Sequence, residues 1–379
     1  MKYKKNILLL TILIIIVIST LFVINNKKVK TFNYDGRAIA LTINGKVTNN
    51  FPSKGLYKID VNCENAQGVW DIDSWKLDIK NITGNVSCNV SFNDNPPLLT
   101  DVVNTDSTLG VEIGNGLMYK SNYGVRYKGN NPNNYIWYNN DLYRIIGNIP
   151  ACTSIDSSSK CTNWENRIKL IRANILGDLI FMVGSTQATS SSTWLGSTLE
   201  KNLNECFLGK KNNQTDETCA SYCYSYYSST SSYAKSICNY SKYGIEVGGE
   251  FYDMIADNIY WNVGIHSASE KCTEQYEYEK TLQTSEPLKI GLMSGSDYIC
   301  SKGEKLDNTG EKWMYIGYEW AMNGYNAAGI YRIITGNSLG GASSNIDLLF
   351  RPTLYLKPNV VVISGDGSEE NPYKIMLGN

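Results

Sequence analysis

The chain has 379 residues, which is long enough for more than one hydrophobic core, because single cores usually stop growing near roughly 250 residues. Its 35 lysine and arginine residues nearly balance 36 acidic residues and form no tract outside the first 30 residues, so a nucleic-acid partner is not expected. Ten cysteines indicate an oxidising compartment, and the single histidine, His266, excludes sites built on several imidazoles and is assigned no role.

An apolar run at residues 7–24 is broken only by three hydroxyl side chains. As a helix it spans roughly 27 Å, which is enough to cross a bilayer. Lysines flank both ends, and the free amino group tips the start of the chain inward. Residues 21–23 are Leu, Phe and Val, where a cleaved signal peptide has small residues, so an uncleaved anchor is favoured. We predict a cytoplasmic stub and transmembrane helix at 1–30, a single pass through the cell membrane, and an ectodomain outside the cell.

Residues 31–93 predict a small all-β domain. Asn44-Gly45 is a dipeptide typical of a type I′ turn, so a hairpin opens the domain. A further inward-facing strand is expected at residues 75–79. An immunoglobulin-like sandwich is the natural packing for such strands, and a spacer is the simplest role for the domain.

Two cysteines of this domain share one buried face. Apolar and polar residues alternate over 57–63 and over 86–92, and Cys63 and Cys88 both fall in the apolar phase. We therefore predict a Cys63–Cys88 disulfide, which stabilises the fold by roughly 3–4 kcal/mol.

The rest of the chain predicts a larger α+β domain. Residues 94–108 hold a proline pair, turn formers and acids without a sustained period, which is typical of a linker. The α+β domain is expected at 109–360, followed by a C-terminal tail at 361–379. A capping box at 197–200 predicts a short amphipathic helix, and apolar residues at helical spacing over 251–259 predict a second one.

The remaining eight cysteines predict disulfides within this larger domain. Cys152 and Cys161 bracket a polar turn and are expected to pair, and Cys272 with Cys300 closes the segment after the second helix. Four further cysteines allow three connectivities, which stay open at this point: Cys206, Cys219, Cys223 and Cys238. Three of these four belong to, or closely precede, a tract rich in Ser and Tyr at 221–243, which reads as a loop pinned by cysteines.

Short motifs of the larger domain carry a family resemblance. They are YRIIG at 143–147, KLIRA at 169–173, GLMSGSDY at 291–298, RPTLYLK at 351–357 and GDGSEENPY at 365–373. On these motifs, over about residues 110–375, the chain resembles uncharacterised surface proteins of Gram-positive bacteria. The resemblance implies an N-terminal anchor or signal followed by this domain, and it implies no activity.

The larger domain is also similar to C-type-lectin-like folds, in which paired terminal strands, two helices and a long irregular region form one unit. Calcium-dependent lectins carry Glu-Pro-Asn or Gln-Pro-Asp and Trp-Asn-Asp segments. This chain has Glu286-Pro287-Leu288 and Trp261-Asn262 followed by Val instead. A calcium-dependent sugar site is therefore not expected, and no metal or cofactor is assigned.

The sequence offers no catalytic constellation. GNSLG at 336–340 matches G-x-S-x-G, but turn-like residues follow it and His266 lies upstream, which is the wrong context for a nucleophile elbow. A glycosidase needs only two suitably spaced carboxylates, which a single sequence neither shows nor excludes. An extracellular glycan-processing enzyme therefore stays as an alternative.

The anchor, the disulfides and the aromatic loops favour a binding or adhesion module, with a glycan or a surface protein as ligand. A structural envelope or stalk component is the other alternative. The candidate contact residues are Trp194, Trp320, Tyr325 and Arg332, because aromatic faces stack on sugar rings and arginine gives directed donors. The competing interpretation, that both tryptophans are core residues, is left open.

Overall fold

The computed structural model describes residues 32–34, 37–105, 116–120, 122–183, 194–227, 232–264, 271–302, 313–325, 329–334 and 338–378. The chain separates into two compact units, of which the smaller ends at Asn95 and the larger begins at Pro96. Both consist mostly of β-strands, with few helices. In the described ranges no helix is long and apolar enough to cross a membrane, and the predicted anchor at 7–24 lies outside them.

The smaller unit contains one mixed sheet and one separate hairpin. Its strands are β1 (Phe32–Tyr34), β2 (Arg37–Ile43), β3 (Lys46–Thr48), β4 (Lys58–Glu64), β5 (Gln67–Asp71), β6 (Lys76–Lys80) and β7 (Val86–Asn93). The sheet order is β1-β2-β7-β4 with β3 paired to β2, and β5 pairs with β6. β2 and β7 are parallel, while the other pairs are antiparallel.

Alternation along these strands gives the sheet one apolar and one polar face. Ile59 and Phe92 are buried, and the Phe92 ring packs edge to face on Trp70 at 4.9 Å between centroids. The predicted hairpin is confirmed, since Asn44 and Gly45 adopt φ of 48° and 75° between β2 and β3. The immunoglobulin-like sandwich is not confirmed, because the parallel β2–β7 pair stands in a single mixed sheet rather than in two antiparallel ones.

The larger unit is built on a nine-stranded sheet. Its strands are β8 (Leu117–Lys120), β9 (Gly124–Tyr127), β10 (Tyr135–Tyr138), β11 (Asp141–Ile155), β12 (Cys161–Arg172), β16 (Ile290–Gly291), β21 (Thr353–Tyr355), β22 (Val360–Ser364) and β23 (Tyr373–Leu377). The order is β16-β21-β12-β11-β10-β23-β22, with β9 on β11 and β8 on β9. The β11–β12 hairpin forms its long centre, and β10 and β23 run parallel.

Three smaller sheets and six short helices surround this sheet. The strands are β13 (Gly177–Ile180), β14 (Tyr224–Tyr227), β15 (Ser232–Lys235), β17 (Trp320–Tyr325), β18 (Gly329–Ile334), β19 (Ser338–Ala342) and β20 (Asp347–Phe350), paired as β13-β20, β14-β15 and β17-β18-β19. The helices are α1 (Leu99–Asn104), α2 (Thr198–Lys201, continued by a π-helical turn at Asn202–Phe207), α3 (Glu217–Ala220), α4 (Glu250–Asp253), α5 (Cys272–Glu279) and α6 (Gly295–Cys300).

Two segments that we expected to lie outside the larger domain belong to it. The linker prediction at 94–108 was wrong for α1, because Leu99 and Val103 are fully buried in the core of the larger unit. The tail prediction at 361–379 was also wrong, because β23 pairs with β10 inside the nine-stranded sheet and β22 forms its edge. Both apolar stretches are short and are flanked by polar turn residues, so the sequence pattern did not reveal the helix or the strands.

The helix predictions were partly correct. The capping box at 197–200 is confirmed in part. Ser197 Oγ accepts a hydrogen bond from the backbone N of Glu200, but Glu200 Oε2 accepts from the Gly196 amide instead of the Ser197 amide. The second helix is shorter than expected and ends at Asp253, because the following backbone turns to the sheet, where the Ala256 amide donates to the Tyr355 carbonyl at 2.7 Å.

All ten cysteines are paired. The predicted bridges Cys63–Cys88, Cys152–Cys161 and Cys272–Cys300 are confirmed, and the open connectivity resolves to Cys206–Cys219 and Cys223–Cys238. The largest sequence separation is 28 residues, so every bridge closes a local loop within one unit.

A glycine at the crossing of β9 and β11 tests the packing of the large sheet. Gly124 has φ of +75°, and a Cβ atom there would stand 2.2 Å from the Asn148 carbonyl oxygen. We expect Gly124→Ala to lower the free energy of unfolding by about 2–3 kcal/mol, through backbone strain and steric overlap together. Gly196→Ala is the control, because Gly196 has φ of +82° with no described atom within 4 Å of its Cβ position, and should cost only about 1 kcal/mol. Urea unfolding measures both, and equal losses would contradict the overlap.

Candidate functional site

The tryptophans predicted to form a contact surface lie in the core. Trp194 and Trp320 are 1% and 0% exposed and both pack on Phe181, with centroid distances of 5.8 and 5.5 Å. Trp320 Nε1 also donates to the Leu179 carbonyl at 2.8 Å. The contact-surface prediction was wrong for these two rings, because large aromatic side chains are worth more buried against one another than exposed.

The other two predicted contact residues lie on neighbouring strands. Tyr325 ends β17 and Arg332 belongs to β18, where its backbone is opposite Trp320. Their side chains lie outside the described part of the structure, so their role as contact residues stays a prediction.

A cavity on the larger unit is the best candidate for a binding site. It has a volume of about 280 Å³ and lies where the β13–β20 ribbon meets the segment held by the Cys223–Cys238 disulfide. Its floor is apolar and includes Leu179 and Phe350, which are buried. Polar residues complete its lining: Asp178, Ser236, Asn239 and Tyr243.

One hydrogen bond connects the two walls of the cavity, and two more brace one of the walls. The backbone N of Tyr226, in β14, donates to Asp347 Oδ1 in β20 at 2.6 Å. On the same wall, Asn213 Nδ2 donates to the Ser236 carbonyl at 2.7 Å, and Asn213 Oδ1 accepts from the Cys238 amide at 3.0 Å. The Ser and Tyr tract is therefore an ordered wall wherever it is described.

A charged group supports the aromatic side of the cavity. The Arg172 guanidinium lies over the Tyr243 ring at 4.7 Å and forms an ion pair with Asp141 at 2.6 Å. Asn139 Nδ2 donates to the Tyr243 carbonyl at 2.9 Å. Because Arg172 is itself buried and paired, Tyr243 is held in a fixed position instead of rotating freely in solvent.

Two carboxylates flank the ribbon on one face. Asp178 is exposed and lines the cavity, while Asp347 is half-buried beside it. Burial raises the pKa of Asp347, and the negative charge of Asp178 raises it further, while the Tyr226 amide opposes the rise. Asp178 is the one charged residue among the described residues that line the cavity.

A second cavity lies on the polar face of the smaller unit and measures about 310 Å³. It is lined by small or polar side chains, among them Thr42, Asn62 and Asn89 on three adjacent strands. It has no aromatic residue in the described part of its lining, so it offers no ring there on which a ligand could stack.

Two buried ionic clusters lie beneath the surface of the larger unit. In the first, Arg351 donates two hydrogen bonds to Glu319, from Nε to Oε1 at 2.8 Å and from Nη2 to Oε2 at 2.9 Å. Both side chains are 1% exposed. Burial raises the pKa of Glu319, and the positive charge of Arg351 partly offsets that rise.

The second cluster joins Arg126, Lys169 and Asp297, with Glu279 beside them. All four side chains are buried. In the described parts of the chain, no group of three or more His, Cys, Asp or Glu residues is placed to hold a metal ion.

Comparisons with protein-family models, with curated proteins and with solved structures found no match to this chain. The function must therefore be argued from the site itself. Sequence reasoning recognised the Ser and Tyr tract as a loop held by cysteines, but it did not find the cavity, whose second wall comes from β13 and β20.

Proposed function

We propose that this chain is a membrane-anchored bacterial surface protein whose disulfide-bonded ectodomain binds a carbohydrate unit in the cavity beside the β13–β20 ribbon. The observation that carries the proposal is the lining of that cavity, where Asp178, Ser236 and Asn239 stand around a floor that contains Phe350. A sugar ring presents an apolar face and a rim of hydroxyl groups, and this lining is complementary to both.

The size of the cavity favours a single sugar unit. Its volume of about 280 Å³ lies just below the range of roughly 300–1,000 Å³ typical of small-molecule sites. Asp178 is suited to accept from a pair of neighbouring hydroxyls, and hydrogen bonds to a charged acceptor are the stronger ones. The binding is accordingly expected to need no metal.

The location outside the cell rests on two features. The five disulfides suit an oxidising environment, and the apolar run at 7–24 suits a membrane anchor. The resemblance to surface proteins of Gram-positive bacteria agrees with this location. In this proposal the smaller unit, with its immunoglobulin-like alternation of faces, acts as a spacer between the membrane and the larger unit.

The lectin-like assignment of the larger unit belongs to the same proposal. What supports it is the pairing of β23, near the end of the chain, with β10, near the start of the unit. This pairing brings the two ends of the unit together, as a lectin-like fold requires.

A glycan array tests the proposed ligand. The purified, oxidised full chain in detergent is expected to bind specific glycans with and without a chelator. Asp178→Asn is expected to weaken that binding roughly tenfold or more, because the variant loses a charged acceptor worth about 1.5–3 kcal/mol. Asn89→Ala, in the cavity of the smaller unit, is the matched control and should bind as the wild type does.

Each contrary result identifies a different error. Loss of binding in Asn89→Ala alone would move the site to the smaller unit. Absence of binding to every glycan would remove the sugar proposal and favour a structural role in the envelope. Turnover of a bound glycan would instead support the glycan-processing alternative.

A further inference from the structure

A lysine and an aspartate from distant parts of the chain meet inside the larger unit. Lys169 Nζ lies 2.5 Å from Asp297 Oδ2, although the two residues are 128 positions apart. Lys169 belongs to the central strand β12, and Asp297 belongs to the first turn of α6. The two side chains are 3% and 1% exposed, so bulk water is largely excluded from the contact.

The surroundings of the lysine are aromatic. Its Nζ lies 5.1 Å from the centre of the Trp261 ring and 5.3 Å from the centre of the Tyr355 ring. Burial lowers the pKa of Lys169, and the charge of Asp297 opposes this change. The site therefore favours the uncharged amine more than water does, and an uncharged amine is a nucleophile.

One further group contacts the reacting pair, and a second lies nearby. Arg126 Nη1 donates to Asp297 Oδ1 at 2.8 Å, on the carboxylate oxygen that does not contact the lysine. Glu279 interacts electrostatically with both Lys169 and Asp297, and burial raises the pKa of its carboxyl group. Its Oε1 accepts from the Ser296 amide at 2.8 Å and from Gln275 Nε2 at 3.0 Å. An arginine on the oxygen that gains charge and a carboxyl group that carries protons are the usual elements of such a step.

We propose that Lys169 and Asp297 condense to an intramolecular amide bond in the mature protein. Burial raises the pKa of Asp297, but the positive charges of Lys169 and Arg126 outweigh it and lower that pKa to about 2, so the pair starts as an ammonium and a carboxylate. The reaction begins when the ammonium transfers one proton to Oδ2. The amine then attacks Cγ, and Arg126 stabilises the negative charge that develops on Oδ1. Oδ2 leaves as water with two protons from the original ammonium, and Glu279 transfers the second of them.

The step balances without an added reagent. One ammonium and one carboxylate give one amide and one water molecule, and no electrons are exchanged. The fold itself drives the reaction, because well-oriented groups in one molecule react as if at effective concentrations of about 10⁵–10⁸ M. The hydrogen bond of the Ser294 amide to Oδ2, at 2.9 Å, is given up when that oxygen leaves.

Mass spectrometry of the full chain decides the proposal. After complete reduction and alkylation, the wild-type protein is expected to be lighter than its sequence by the mass of one water molecule. Trypsin should then give one branched peptide that joins residues 168–172 to residues 290–302, since cleavage after Lys169 is blocked. Two separate, unmodified peptides in the wild-type digest would overturn the proposal, whatever the variants do.

Two variants identify the reacting groups. Lys169→Arg keeps the positive charge but cannot form this amide, so the lost water mass should return. Glu279→Gln should lower the cross-linked fraction at least tenfold in freshly refolded protein, because it removes the proton carrier. The Arg351–Glu319 pair is an internal control, because it is equally buried and its guanidinium should remain unlinked in the same digest. The result is independent of the glycan array, so failure of either proposal leaves the other standing.

Discussion

Replacing Arg351 with Met is expected to lower the free energy of unfolding by about 3–5 kcal/mol, because it leaves a buried carboxylate without its partner. Arg351 gives Glu319 two hydrogen bonds and donates a third to the Met314 carbonyl at 2.7 Å. None of these groups can turn to water, since both charged side chains are 1% exposed. Urea unfolding of the variant beside the wild type at neutral pH measures the loss.

A second variant tests whether the unpaired carboxylate of Glu319 causes this loss of stability. The double variant Arg351→Met with Glu319→Leu should recover much of the stability, because it removes the stranded charge as well. Lys289→Met breaks a surface pair with Asp257, 2.6 Å apart, and should cost less than about 1 kcal/mol. The single variant should also lose less at acidic pH, where Glu319 becomes neutral. Equal losses for the buried and the surface variants would contradict the argument.

Replacing Glu200 with Gln is expected to stabilise the protein above neutral pH. Burial raises the pKa of Glu200 from 4.5 to about 7, although its carboxylate accepts from the Gly196 amide. A folded-state pKa above the unfolded one means that folding takes up a proton. The stability is therefore full below pH 4.5 and is lost as the pH rises to about 7. The total loss is up to about 3 kcal/mol, at 1.36 kcal/mol per pKa unit.

The glutamine variant removes this dependence without changing the shape of the side chain. At pH 8 it should exceed the wild type by up to about 3 kcal/mol, and near pH 4.5 the two should agree. Urea unfolding across that range measures both curves. Glu217→Gln, at the exposed start of α3, is the control and should leave the pH dependence unchanged. A variant curve parallel to that of the wild type would show that Glu200 is not the titrating group.

Local chemistry was the part of the fold that the sequence predicted well. The dipeptide Asn44-Gly45 predicted the first hairpin, and the alternation of apolar and polar residues around Cys63 and Cys88 predicted their disulfide. The bond of Ser197 Oγ to the amide of Glu200 followed from the capping box. Each of these features depends on neighbouring residues or on one strand period, so no distant part of the chain was needed to recognise it.

The misplaced features depend on distant contacts. Ile255 has helical spacing from Phe251, yet its backbone bridges to Leu356, about a hundred residues later. The cavity likewise needs Asp178 and Phe350 from two strands that are far apart in the sequence. The two tryptophans chosen as contact residues illustrate the same limit, because an aromatic side chain suits a core and a binding surface equally well until its neighbours are known.

The parallel pairing of β2 with β7 determines how the smaller unit responds to tension along the chain. Force that enters at the start of β2 and leaves at the end of β7 acts on opposite ends of two adjacent strands. The pairs from Arg37 with Val86 to Ile43 with Phe92 are then loaded together, in shear, instead of opening one after another. The smaller unit is therefore arranged to resist stretching along these two strands.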